Sequence, residues 1–96
     1  MKVVLTKRAQ KNFEKIYNYI ATRFGLANAD EFDESLEFVF EVLLNNPEAG
    51  QSVSESKPVR VFLHHKHTEV FYRLSQNQLV ILALFDVRQD PMKQPK

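Results

Sequence analysis

The sequence predicts an α+β domain: two N-terminal helices packed on one face of a small four-stranded sheet, ordered strand–helix–helix–three-strand meander. Three observations predict it. Apolar residues recur at three- and four-residue spacing through the first half of the chain. The period changes to two near Val59. Between these halves lies a stretch holding Pro47, Gly50, three serines and Pro58, a composition that marks a surface loop.

Residues 2 to 5 form a short apolar run that reads as a strand. Thr6 then offers a side-chain oxygen to cap a helix. Ala9, Phe13, Ile16, Tyr17, Ile20 and Phe24 define one face of an amphipathic helix over about 7 to 24. Gly25 stands where a helix end favours a left-handed residue. Asn28 is a candidate cap for the second helix, with Glu31 at capping-box spacing. Ala29, Phe32, Leu36, Val39, Phe40, Leu43 and Leu44 form its apolar stripe. Asp30, Glu31, Asp33, Glu34, Glu37 and Glu41 form an acidic outer face. Asn45-Asn46-Pro47 ends it, because proline cannot continue the helical bonding.

Beyond the loop at 47–58, Val59, Val61 and Leu63 alternate with Arg60, Phe62 and His64, which predicts a half-buried strand with the first set inward. His65-Lys66-His67 makes the turn. A strand from about Thr68 to Leu74 places Val70, Tyr72 and Leu74 on one face. Gln76-Asn77 reads as a tight turn. Residues 79 to 85 are apolar without alternation, the mark of a strand covered on both faces. On this assignment Phe62 and Phe71 fall on the face opposite the helices, where exposed aromatics suggest a partner surface.

The chain has 96 residues, which suits one domain, residues 1–91, with 92–96 as a short tail. Its net charge of +1, from 13 basic and 12 acidic residues, is not the footprint of a nucleic-acid reader. With no cysteine, disulfides and thiolate metal sites are excluded. No apolar run has the length of a membrane span, and the N-terminus lacks a signal-peptide pattern, so a soluble cytoplasmic protein is expected. His64, His65 and His67 cluster with Lys66, but adjacent strand residues point to opposite faces and no carboxylate or cysteine ligand accompanies them. No metal or cofactor is expected.

Lys7-Arg8-Ala9, Ile16-Tyr17-Asn18-Tyr19-Ile20, Asn46-Pro47 with Gly50, Val59-Arg60, Phe71-Tyr72-Arg73, and Ile81–Phe85 followed by Asp86-Val87-Arg88-Gln89-Asp90-Pro91 stand in order along the chain. In their order and spacing they resemble the RelE/ParE toxin family over about residues 1 to 91. The resemblance implies the toxin of a type II toxin–antitoxin pair, which stabilises plasmids or other genomic elements and is neutralised by a cognate antitoxin. DNA contact is expected only through that antitoxin. Family members act either on the ribosome, cleaving mRNA, or on DNA gyrase.

RNA cleavage through the 2′-hydroxyl needs a base, an acid and cations for the phosphorane. Nuclease members carry an Arg three positions before the strand Tyr, where this chain has Glu69. Some carry a glutamate immediately before the loop Gly, where Ala49 stands, one residue after Glu48. Others end in a His-Tyr pair or a C-terminal Tyr, and neither residue follows Arg88 here. The resemblance therefore favours the ParE-like branch, a gyrase inhibitor with Arg60, Phe62, Phe71, Arg73 and Arg88 as target or antitoxin contacts. An mRNA interferase built on Arg60, His65, His67 and Arg88, or a homologue that has lost toxicity, are the alternatives. Each candidate also has a structural reading: an Arg88 salt bridge to Asp86 or Asp90, Arg60 lying over Phe62, a packed Tyr72, a solvated histidine turn, and a tail covering Phe62 and Phe71.

Overall fold

In a computed structural model, which describes residues 1–64 and 67–89, the elements are β1 (Lys2–Leu5), α1 (Lys7–Phe24), α2 (Leu26–Asn45), β2 (Gln51–Ser54), β3 (Lys57–His64), β4 (Thr68–Ser75) and β5 (Gln78–Asp86). The sheet has five strands in the order β1-β5-β4-β3-β2, one more than expected. The added strand, β2, occupies part of the predicted loop. Gln51-Ser52-Val53-Ser54 is short, polar and at the edge, so it has no core face to leave a pattern. Its pairing with β3 is interrupted by an irregularity between Ser52 and Ser54.

Thr6 begins α1 as its side chain suggests: Oγ1 accepts from the Ala9 N–H at 3.1 Å. The same hydroxyl donates to the Leu82 carbonyl at 3.0 Å. That carbonyl is available because β4 and β5 slip register between Phe71 and Tyr72, which leaves Leu82 as the extra residue of a bulge. Asn12 Oδ1 accepts from the nearby Leu84 N–H at 3.0 Å. The start of α1 thus supplies partners for backbone groups beside the bulge, which buried amides and carbonyls require.

Between the helices the chain reverses at one residue. Gly25, at φ 98° and ψ 157°, lies in a region essentially reserved for glycine. It closes α1 by donating to the Ala21 carbonyl, and its own carbonyl accepts from Ala29 N–H. The second helix therefore starts at Leu26, earlier than the capping pattern indicates. Asn28 is not its cap: its amide reaches back to the Phe24 carbonyl at 2.6 Å, satisfying an end group of α1.

The helices cover one face of the sheet. Ile16 and Ile20 of α1, Leu36, Val39 and Leu43 of α2, and Val70, Tyr72, Leu79, Ile81 and Leu84 of the sheet form the main core. A second cluster of Phe71, Ala83 and Phe85, with Val59, Val61, Leu82 and Val87 against it, lies on the other face. Strand β5 lies between β1, which it pairs in parallel, and antiparallel β4. It contributes to both clusters, in agreement with its unbroken apolar run. Gln76 and Asn77 join β4 to β5 at positive φ, 45° and 64°, the backbone a type I′ hairpin requires.

The inward set of β3 is the reverse of the expected one. Phe62 pairs with Val70 and Arg60 with Tyr72, whereas Val61 pairs with Phe71. Directly paired residues share a face, so Phe62 packs into the main core beneath the helices. Val59 and Val61 join the opposite cluster, and Leu63 is 56% exposed. Both sets in β3 contain apolar residues, so alternation locates the strand without choosing its inner face. Register against β4 makes that choice.

Candidate functional site

Two clusters gather the polar side chains singled out in the sequence. The first joins the α2–β2 connection to the sheet. Tyr72 is fully buried. Its hydroxyl donates to the Pro47 carbonyl at 2.7 Å and accepts from the Gly50 N–H at 2.9 Å. Arg60 Nη1 donates to the Gly50 carbonyl at 2.7 Å. Gly50 is required by proximity: a Cβ there would lie 2.7 Å from both Tyr72 Cε1 and the hydroxyl, and 2.9 Å from the Val61 carbonyl oxygen. Burial raises the Tyr72 pKa above its ordinary value, with the Gly50 N–H and the Arg60 charge opposing. The hydroxyl is protonated at neutral pH and holds a loop in place; it is not placed as a base.

The second cluster stands at the Thr68 end of β4. Thr68 and Asp86 are paired residues of β4 and β5, and Asp86 is 1% exposed. Thr68 Oγ1 donates to Asp86 Oδ2 at 3.0 Å. Arg88 folds back with Nε on Oδ1 at 2.9 Å and Nη2 on Oδ2 at 2.7 Å, and its backbone N–H also donates to Oδ1. Burial alone would raise the Asp86 pKa; the bonds and charge of Arg88, with Thr68, outweigh it and hold the carboxyl below its ordinary value. The same contact leads in raising the pKa of Arg88, against partial desolvation. Bidentate pairing of this kind is strong and directional.

Beside this ion pair opens a cleft of about 770 Å³ between α2 and the end of the sheet. Ile20 and Phe32 contribute to its apolar lining, with Phe24 and Phe38, which are 50% and 63% exposed. Glu31, Glu34 and Ser35 line it from α2, and His64, His67, Thr68 and Arg88 from the sheet end. Ser35 Oγ and His64 Nε2 share a hydrogen bond across it. A largely apolar concavity with a few convergent polar groups is the usual form of a binding site.

The predicted contact residues do not share a surface. Arg60 and Phe62 face the helices, whereas Phe71 and Arg73 belong to the opposite face of the sheet. Arg88 lies beyond the end of β5, in the cleft. The set Arg60, His65, His67 and Arg88 is divided as well. Arg60 pairs with Tyr72, while His67 and Arg88 accompany Thr68, four residues along the strand or about 13 Å away. His65 and Asp90 lie outside the described residues. Of the structural readings, the Arg88 salt bridge to Asp86 and the packed Tyr72 are present. Sequence reading missed Phe24 and Phe38 as cleft walls. The signal was available: Phe38 is a large apolar residue outside the stripe of its own helix.

The chain matches the model of the ParE toxin of the type II toxin–antitoxin system, parDE, over residues 3–91. Among curated protein sequences none matches it. Its fold is similar to a structure of the chromosomal ParDE TA system from P. aeruginosa, with a TM-score of 0.75 and 20% identity over 90% of this chain and 95% of the other. It is also similar to a copper-bound mutant toxin from Helicobacter pylori, at 0.64 and 21% over 94% and 98%. A conserved hypothetical protein from Helicobacter pylori shares the fold at 0.52 and 20% over 90% and 93%. Identities this low speak for the fold alone. The family model, matched from within the first strand to beyond the last, decides membership: the chain belongs to the ParE toxins of type II toxin–antitoxin systems.

Proposed function

We propose that the chain inhibits growth by binding DNA gyrase rather than by cleaving RNA, and that a cognate antitoxin neutralises it by direct contact. The observation that carries this reading is how the two candidate catalytic arginines and the strand tyrosine are spent. Arg60 bonds the Gly50 carbonyl, Tyr72 bonds Pro47 and Gly50, and Arg88 is bidentate on Asp86. A cleavage centre needs its acid, base and cations to converge on one phosphate. Here Arg60, level with Tyr72, and Arg88, beside Thr68, lie four residues apart along β4, each tied to its own protein partner. Glu69 stands where nuclease relatives carry an arginine, and a carboxylate does not supply the positive charge that a phosphorane needs. A toxin that acts by occupying its target needs a stable surface and no such convergence.

The test is induction without antitoxin, following DNA and protein synthesis by pulse labelling, together with purified gyrase in supercoiling and cleavage assays. An early fall in DNA synthesis and inhibited supercoiling are expected. If protein synthesis falls first and transcripts are cut at ribosome-occupied codons, the gyrase reading is wrong. The cleft residues His67 and Arg88 would then be the first to mutate. Unimpaired growth would indicate a homologue that has lost toxicity.

A further inference from the structure

Helix α2 carries six carboxylates and no basic residue, while its neighbour α1 carries five basic residues and one acidic. Despite that proximity, the single ion pair among the described residues is Arg88–Asp86, and it involves neither helix. In the cleft, that pairing leaves Arg88 little charge to offer a ligand. Glu31 and Glu34 line the same cleft without an ion-pair partner among the described residues. Phe24 and Phe38, both half or more exposed, stand in the wall they share. On α2, Glu31, Ser35 and Phe38 follow at helical spacing. An apolar floor thus adjoins an acidic edge along one helix face.

We propose that this cleft is the seat of a cationic amphipathic segment of the antitoxin, with apolar side chains against Phe24 and Phe38 and Lys or Arg side chains over Glu31 and Glu34. The assignment rests on the proposed antitoxin partnership and specifies where and by what chemistry it is met. Charge complementarity selects this occupant over the others. Nucleic acid and anionic membrane would be repelled by the acidic edge. A second copy in a two-fold dimer would place this patch against itself, setting Glu31 and Glu34 against their own equivalents. A cationic peptide relieves the repulsion along α2 and removes two large aromatic side chains from water, the combination found at central anchors of protein interfaces.

The experiment measures affinity of the full chain for the antitoxin encoded beside it, by titration calorimetry at low and high salt. The variants are Phe38→Ser, the double variant Glu31→Gln/Glu34→Gln, and Lys57→Ala, at the end of β3 away from the cleft, as a control. All four side chains are at least partly exposed, and thermal melts verify that each variant is folded. Phe38→Ser is expected to weaken binding on the order of tenfold or more, as loss of an aromatic anchor does. The glutamine pair is expected to lose roughly two- to tenfold at low salt, with a shallower salt dependence. Lys57→Ala is expected to bind like wild type. Wild-type binding with unchanged affinity in both cleft variants overturns the site assignment and leaves the antitoxin partnership intact. A wild-type chain that does not bind the antitoxin overturns the partnership itself. Self-association abolished by Phe38→Ser would assign the cleft to a second copy and likewise overturn the proposal.

Discussion

Replacing Arg88 by alanine separates structure from function at the position where they are most easily confused. In the native chain the guanidinium makes two charge-assisted bonds, 2.9 and 2.7 Å, to a carboxylate that is 1% exposed. Removing one partner of a buried pair costs about 3–5 kcal/mol when the remaining charge is stranded. The Arg88 side chain is 34% exposed, so water reaches the vacated space. Thr68 and the backbone N–H at position 88 still serve Asp86. We therefore expect a loss of about 2–3 kcal/mol at pH 7. In a chain of 96 residues, that lowers Tm by roughly 10–20 °C.

The pH dependence gives a second, independent readout. The folded pKa of Asp86 lies below its unfolded value of 3.8. Its contribution is fully present above that value and is lost as pH falls through the folded pKa. In Arg88→Ala the burial of Asp86 is far less opposed, its folded pKa rises, and the carboxyl protonates earlier. The stability gap between wild type and variant should therefore narrow as pH is lowered from 7 to 3. Urea denaturation across that range measures both quantities. A gap under about 0.5 kcal/mol at pH 7, the size of an ordinary surface substitution, would refute the reasoning. So would a gap that stays constant on acidification. Loss of toxicity in this variant identifies a target contact only if the folded fraction is unchanged at the assay temperature.

Gly50→Ala should destabilise by about 2–4 kcal/mol, combining steric overlap with disturbance of the Tyr72 hydroxyl bonds. Tyr72→Phe removes the oxygen 2.7 Å from the added Cβ. A double-mutant cycle should therefore show Gly50→Ala costing at least about 0.5 kcal/mol less in that background; strict additivity would disprove the contact. Phe62→Ala should cost about 2–3 kcal/mol and Leu63→Ala under about 0.5 kcal/mol in chemical denaturation. The opposite ranking would restore the reversed assignment of β3.

Elements with a local cause were legible in the sequence. Thr6 caps α1 where its hydroxyl predicts, Pro47 follows the end of α2, Gln76-Asn77 turns tightly, and the apolar run of β5 is covered on both faces. Family membership was legible for the same reason: ordered residues at a spacing need no coordinates. Where two local signals competed, contacts decided. Gly25 took over the start of α2 because one residue at positive φ serves both helix ends, which released Asn28 to bond α1. Strand β2 left no pattern because an exposed polar edge strand is held by its neighbour's backbone and not by its own side chains. Which face of β3 lies inward depended on register with β4, a relation between segments that neither contains. In the sequence each of Arg60 and Arg88 was open to a partner contact or a structural role, Arg88 with Asp86 or Asp90 as salt-bridge candidates. Only the tertiary structure assigned one to the Gly50 carbonyl and the other to the Asp86 carboxylate, because what remains free for a partner is what the fold has not already used.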